Sequence, residues 1–286
     1  MLSLERLSAF VVFSEHLNFT HAARSLGISQ PALHAQVSRL SDELGVPLYI
    51  RDGRSLRLTT EGEKVAAFGR DLTARVTTFA GNLRGENTVE PVTLAAGEGC
   101  FLYLLGPAIQ ATNHPLRLIT ADLAATIDAL RSGRAAVGVA STDAAPAGLT
   151  LTPLTEIPLV ALIPADHPLA GTGPLALSDL QDARLIVPPA DRPHRQAVAG
   201  ALARAGVRWE VAVEAGGWEL MRRFVAMGMG LAIVNGFCPP PDGGCARPLP
   251  ELPARRYVIL RRPGEPSTAV ASLIAALHTH AEDWRA

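Results

Sequence analysis

One lysine, Lys64, and three cysteines, Cys100, Cys238 and Cys245, are all that these 286 residues hold of two side chains that often carry chemistry. The cysteines form no CxxC pair and no metal-ligand spacing, so neither a zinc site nor a dithiol couple of that kind is expected. Cys238 and Cys245 flank the loop PPPDGG. A disulfide switch there is disfavoured, because cytosolic thiols stay reduced and no activating basic pair stands beside them. No run of about 18 apolar residues escapes interruption by charge, proline or glycine, which argues against a membrane helix. The N-terminus lacks a basic segment followed by a long apolar run, so no secretory signal is read and the cytoplasm is the expected compartment. The patterns GxSxG, HExxH, the P-loop and GxGxxG after a strand are missing. Gly228, Met229 and Gly230 precede an apolar run instead of following one, and read as a packing turn. No catalytic residue, cofactor or metal is expected.

An excess of charge is lacking too. The formal net charge is −1, from 26 basic and 27 acidic residues. The first 64 residues carry seven of each sign. That counts against indiscriminate electrostatic binding of nucleic acid, but not against specific binding, which depends on where the charges sit. What is present is apolar: 48% hydrophobic residues at a mean hydropathy of +0.19, enough to fill the cores of two or three domains.

Residues 18–60 are the most informative stretch. Asn18 and Thr20 offer capping oxygens ahead of a short helix over 22–26, and Gly27 is a natural stop. Ser29 then precedes Pro31, a proline suited to the first turn of a new helix. In that helix Leu33, Val37, Leu40 and Leu44 form one apolar face. The opposite face, with Pro31, Ala35 and Ser38 flanked by His34 and Arg39, is small and polar. Gly45 ends the helix, and 48–50, 52–54 and 56–59 read as strand, turn and strand. Helix, tight turn, helix and wing together form a device for laying one helix in the major groove.

On these residues the chain resembles the LysR-type transcriptional regulators. The matching positions are Leu7, Phe10, Phe19, Ala22, Ala23 and Leu26, then Ser29, Gln30, Pro31, Ala32 and Leu33, then Leu40, Leu44, Gly45, Leu48, Arg51, Leu58, Thr59 and Gly62. A looser match runs through His167, Pro168, Leu169 and Ala170 and through the segment 225–233. Two positions depart: the family usually has Ser where this chain has His34, and Phe where it has Tyr49.

Residues 61–84 read as one long helix, with Val65, Phe68, Leu72, Val76, Phe79 and Leu83 recurring at steps of three or four. At 1.5 Å per residue it would span about 36 Å. Such a stripe wants a partner, either its own domain or a second copy, and the resemblance implies a dimer or tetramer. Beyond the polar hinge 85–91, strands and helices alternate. Strands are expected at 92–96, 116–120 and 136–140 and helices at 102–112 and 123–132. A crossing strand at 159–163 leads to a second lobe with strands 185–187, 209–213 and 231–234 and helices 195–205 and 219–227. A return strand is read at 257–260 and a last helix at 268–284. This alternation implies parallel sheets, and two such lobes enclose a ligand cleft.

The fold expected is thus α/β with an N-terminal all-α winged helix-turn-helix, joined by a long linker helix to what the resemblance implies is a two-lobe, periplasmic-binding-protein-like effector domain. The domains are placed at 1–60, 61–87 and 88–286, with lobe I at about 88–159 and 264–286 and lobe II at about 160–263. Gln30, Pro31, Ala32 and His34 are expected nearest the base edges of double-stranded DNA. Thr20, Ser29, Ser38 and Arg39 are expected near phosphates, and Arg51 and Arg54 at the wing. Cleft candidates are Gly97, Glu98, Gly99, Cys100, Thr120, Asp122, Arg192, Trp218, Gly236 and Phe237. An inward Glu98 would suit a cationic or hydrogen-bond-donating ligand, inward Arg192 and Arg195 a carboxylate, and the sequence leaves both open. The resemblance further implies a small-molecule effector, an interrupted palindromic operator and contact with RNA polymerase. The alternative is a ligand-independent DNA-binding protein whose α/β half only oligomerises.

Overall fold

The computed structural model describes residues 3–53, 55–83 and 90–281, save the side chains of 75, 78, 82 and 83. Three helices begin the chain: α1 (Leu4–His16), α2 (Phe19–Leu26) and α3 (Gln30–Leu44). Each is capped as its sequence dictates. Ser3 accepts from Arg6 N, Asn18 from Thr20 N and His21 N, and Ser29 from Ala32 N. Leu17, Gly27 and Gly45 close them in the left-handed region. Leu33, Val37 and Leu40 are fully buried against Leu7, Phe10 and Phe13 of α1 and Ala22 and Ala23 of α2. Truncating Leu33 or Leu40 to alanine would cost about 2–5 kcal/mol. Leu44, expected on this face, is exposed. Strands β1 (Tyr49–Asp52) and β2 (Ser55–Leu58) pair antiparallel as the wing.

Helix α4 (Thr60–Leu83) runs unbroken for 24 residues. Its N-terminal part packs on the head, because two glycines permit close approach. A Cβ on Gly62 would strike the carbonyl of Leu48, and one on Gly69 would lie 2.5 Å from Val11 Cγ2. Val65 and Leu72 join the head core, whereas Phe68, Val76 and Phe79 are exposed. The stripe read from the sequence therefore divides between an inner and an outer face. The side chain of Leu83 lies outside the described residues.

Two five-stranded sheets follow. The first contains β3 (Val92–Ala96), β4 (Leu116–Thr120), β5 (Val137–Ser141) and β6 (Thr150–Ile157), with helices α5 (Gly106–Ala111) and α6 (Leu123–Arg131) between strands. The second contains β7 (Leu159–Ile163), β8 (Ala183–Val187), β9 (Trp209–Glu214), β10 (Leu231–Asn235) and β11 (Cys245–Pro248), with α7 (Pro193–Arg204) and α8 (Trp218–Ala226). The chain returns through β12 (Arg255–Arg261), and α9 (Thr268–Ala281) packs Leu273 and Leu277 into a core shared with the first sheet.

Several expectations change. Both sheets are mixed: β4, β3 and β5 are parallel, but β12 is antiparallel to β5 and to β6. Strand β6 is an addition to the elements expected from sequence, because Pro153 interrupts its pattern; at the sheet's edge proline is tolerated. The return strand lies between β5 and β6, buried from Tyr257 to Leu260. The stretch 255–263, assigned to lobe II from sequence, is therefore part of lobe I. The helix expected at 102–112 is a π-turn over Cys100–Leu104 followed by α5, which restarts at Gly106 and Pro107, where proline has no N–H to continue the earlier ladder.

Candidate functional site

The outward face of α3 is the first candidate. Ser29, Gln30, Pro31, Ala32, His34, Ala35 and Arg39 are exposed and Ser38 is half-buried, while Leu33, Val37 and Leu40 face in. Thr20, at the start of α2, donates to Gln30 Oε1 at 3.1 Å, so the first turns of α2 and α3 form one polar edge. The Ser29 hydroxyl accepts from Ala32 N. That commits its oxygen to the cap and leaves its proton to reach outward. His34 is less free than its position in the sequence suggests. Its Nδ1 is 3.5 Å from Ser38 Oγ, its Nε2 3.4 Å from the Tyr49 hydroxyl, and its ring 5.0 Å from that of Phe19. On the wing Arg51 is exposed, Asp52 pairs with Arg57 at 3.2 Å, and Arg54 lies outside the described residues.

The second candidate is the cleft between the two sheets, a cavity of about 500 Å³. This size suits a small molecule. Gly97, Glu98, Gly99, Cys100, Thr120, Asp122, Arg192 and Trp218 line it. Gly236 and Phe237, expected there, do not. The chain turns after Asn235; Gly236 N donates to Pro158 O at 2.7 Å, and Phe237 folds into the core against Tyr257, ring centroids 5.6 Å apart. Asn235, one residue earlier, lines the cavity instead.

The lobes touch at the mouth and at the floor. At the mouth Asp122 caps α6, accepting from Ala125 N at 3.0 Å, and its other oxygen accepts from Arg192 Nη1 of lobe II at 3.2 Å. Trp218 lies so close over Gly99 that a Cβ there would collide with its Cδ1, which is why that position has no side chain. Glu98 Oε2 would be 3.1 Å from a Cβ on Gly217, a residue with a φ of +87° that favours glycine. The Tyr103 hydroxyl bonds Glu219, whose carboxyl is held down to about 2 by its hydrogen bonds from Arg222 and Tyr103.

At the floor Asn235 Nδ2 donates to the Tyr257 hydroxyl at 2.9 Å. His194 packs edge-on against Trp218 at 4.8 Å, with its Nε2 2.8 Å from Ile233 O. Burial lowers its pKa from 6.5 to about 4, so it is neutral at pH 7 and donates that bond. Burial also pushes the Cys100 thiol up to about 12. Arg195 faces away: it donates to Pro188 O at 3.0 Å and its guanidinium lies 5.0 Å from the Trp209 ring centroid. Sequence reasoning reached His194 only as part of the loop 189–195, and missed Asn235, Arg255 and Tyr257. For Asn235 a signal existed, a lone amide closing the apolar run LAIVN.

Helix α6 runs from this mouth to the linker. Past its far end Ser132 O accepts from Arg70 Nε of α4 at 2.5 Å, and a Cβ on Gly133 would be 3.1 Å from Ala67 Cα. Arg70 Nη1 also donates to Ser14 Oγ of α1 at 3.1 Å, so one guanidinium joins head, linker and lobe I. A further cavity of about 820 Å³ lies between α4 and lobe I, lined by Lys64, Phe68, Arg131 and Arg262 among others. Among the described residues no group of acidic, histidine and cysteine side chains is arranged to hold a metal, and no helix is long and apolar enough to cross a membrane.

Comparison with known proteins agrees with both halves. Residues 4–63 match the family model described as bacterial regulatory helix-turn-helix protein, lysR family, and residues 87–282 match that of the LysR substrate binding domain. The transcriptional regulator CatR of Pseudomonas putida is 32% identical over 242 residues, 82% of each chain. A hydrogen peroxide-inducible genes activator of Pectobacterium carotovorum is 28% identical over 281 residues, 93% of this chain and 92% of that one. Among solved structures, a full-length OxyR variant from Pseudomonas aeruginosa superposes with a TM-score of 0.71 at 24% identity, covering 99% of this chain and 95% of the other.

Proposed function

Because the chain belongs to the LysR family of DNA-binding transcriptional regulators, we propose that a small molecule entering the interlobe cleft resets the head through α6 and Arg70, and so changes how an interrupted palindrome is bound. The observation that carries this reading is the continuity of α6. Its capping residue Asp122 ion-pairs across the cleft, and the residue after its last turn hydrogen-bonds the arginine that also holds the head. A ligand that alters the Asp122–Arg192 contact moves one end of a rod whose other end bears on the linker. The size of the response is set by the ligand's differential affinity for the two arrangements.

We read the units as head 1–60, linker 61–87 and effector domain 88–286, with 255–263 counted in lobe I. Gln30 is suited to adenine N6 and N7, and Pro31 or Ala32 to a thymine methyl. Thr20, Ser29, Ser38, Arg39 and Arg51 serve the backbone, which fixes register without specifying sequence. A second copy covers Phe68, Val76 and Phe79, and the two heads then meet the two half-sites with matched symmetry. Contact with RNA polymerase follows from the changed geometry, in the cytoplasm, and no catalytic step is assigned to the chain.

The test is to sequence genomic fragments captured by the purified full chain at near-physiological salt. Sharp peaks sharing a dyad are expected. Recovery without a common motif would overturn the reading of α3. On such an operator, Arg51→Ala should weaken binding uniformly and lower the log–log salt slope by about 1.

A further inference from the structure

Two polar groups at the floor of the cleft have atoms that no described residue satisfies. Asn235 is 4% exposed; its Nδ2 is used on Tyr257, and its Oδ1 has no hydrogen-bond partner. Arg255, which opens β12 opposite Ile157, has a buried Nη2 in the same condition. Both residues line the cavity. They flank the crossing between the lobes, since Asn235 pairs in register with Leu159 and Arg255 with Ile157. Leaving such groups unsatisfied is costly, and more so where one is charged. A cavity whose lining residues keep a buried acceptor and a buried cationic donor unpartnered suits a molecule that meets both.

The remaining charges narrow the class. Arg192 is held by Asp122, Arg195 faces Glu214 and Trp209, and His194 is neutral. Among the described residues Arg255 makes no ion pair, so the positive charge open to a ligand is at the floor. At the mouth Asp122 and Arg192 cancel one another, which leaves Glu98, beside Gly217, as the acidic group without an ion pair among the described residues. The rest of the lining is mostly apolar, with Leu123, Val139, Pro188, Trp218 and Met221, and includes Thr120 and Ser141.

We propose, on the reading of this cleft as the effector site, that the effector is a small monocarboxylate with an apolar body and a hydrogen-bond donor near the carboxyl. The carboxylate accepts from Arg255 Nη2, the hydroxyl or amino donor gives its hydrogen to Asn235 Oδ1, and the apolar body lies against Trp218 and Met221. A second carboxylate directed toward the mouth meets Glu98 and is rejected. On this proposal the cation that selects the ligand is Arg255, and Glu98 at the mouth limits the ligand to one negative charge.

The experiment uses the full chain and a fixed panel: mandelate, phenyllactate, 2-hydroxyisocaproate, leucine and phenylalanine, each beside its primary amide, with malate as the dicarboxylate. Thermal melting and calorimetric titration are the readouts. At least one monocarboxylate is expected to raise Tm, with its amide and malate inactive. Arg255→Gln should weaken that binding by about tenfold or more, and Asn235→Asp should weaken binding of a hydroxy acid further by facing its carboxylate with like charge. Asn235→Ala should lose less, and each variant without ligand should melt cooperatively. The proposal is overturned if no monocarboxylate in the panel binds, if an amide binds as well as its acid, or if Arg255→Gln retains wild-type affinity. A monocarboxylate that binds through Arg255 yet leaves the operator footprint unchanged would sink the effector reading and leave the ligand class standing. A neutral compound that alters the footprint would do the reverse.

Discussion

His34 Nε2 lies 3.4 Å from the Tyr49 hydroxyl, joining the recognition helix to the first wing strand. The resemblance marks both positions as departures, from a serine and a phenylalanine. The departures meet: a hydroxyl added to the ring at 49 stands where the imidazole at 34 can bond it. Phe13, Phe19 and Tyr49 pack beneath in stacked and edge-on contacts, with centroids 4.2 to 5.5 Å apart. Tyr49→Phe should therefore release His34 toward the groove. The expected result is a stability loss of no more than about 1 kcal/mol, because the pair is exposed, together with a changed base preference at one operator position. Denaturant melts and binding to a randomised operator library check the two parts, and an unchanged preference in both Tyr49→Phe and His34→Ser would remove His34 from readout.

The outer stripe of α4 gives a second expectation. Phe79 is 65% exposed, Phe68 53% and Val76 43%, all on a helix whose other face is already packed on the head. Val76→Asp with Phe79→Asp should convert the oligomer to monomer in sedimentation and weaken operator binding by more than tenfold, while the melting of the single chain changes little. An oligomer that survives both charges would place its interface elsewhere.

His194 sets a pH dependence. Its folded pKa, about 4, is below its unfolded value of 6.5, so the unfolded chain takes up the proton first. The stability contributed by neutral His194 is complete above pH 6.5 and is lost as pH falls toward 4. Glu219, held near 2 by Arg222 and Tyr103, loses its contribution in a lower window, below about pH 4.5. Melting curves of wild type and His194→Gln should converge between pH 6.5 and 4, and a constant gap across that range would show that the imidazole does not titrate there.

The thiols carry a fourth expectation. Burial pushes Cys100 to about 12 and Cys238 to about 11, which leaves almost no thiolate at neutral pH. Peroxide at concentrations that oxidise a low-pKa cysteine should leave both thiols intact by intact mass. Half-buried Cys245, whose sulfur accepts from Gly171 N at 3.4 Å, should react first. A Cys238–Cys245 disulfide formed on such treatment would reverse this reading.

How much of this was legible in the sequence follows from the range of the interactions. The head was readable because its signals are local: caps at Ser29 and Asn18, stops at Gly27 and Gly45, and an apolar period within one helix. Strand β3 was readable as a short apolar run, and the loop after it lines the cleft. Strand β6 was not, because its partner β12 lies a hundred residues away and its own proline hides the pattern. The cleft floor was missed for the same reason. Asn235, Arg255 and Tyr257 come together through pairings of β10 with β7 and of β12 with β5 and β6, and no local spacing encodes those registers.

The most direct test of the account is a nuclease footprint of Arg192→Asp on a captured operator, with no ligand added. The substitution sets two carboxylates face to face where Asp122 and Arg192 now pair, and so pushes the cleft mouth apart. If α6 transmits the state of the cleft, the footprint should change in length or in its hypersensitive positions relative to wild type. The change should vanish when Arg70→Gln, which removes the bond to Ser132, is added. Identical footprints for wild type and Arg192→Asp would contradict the coupling of cleft to head.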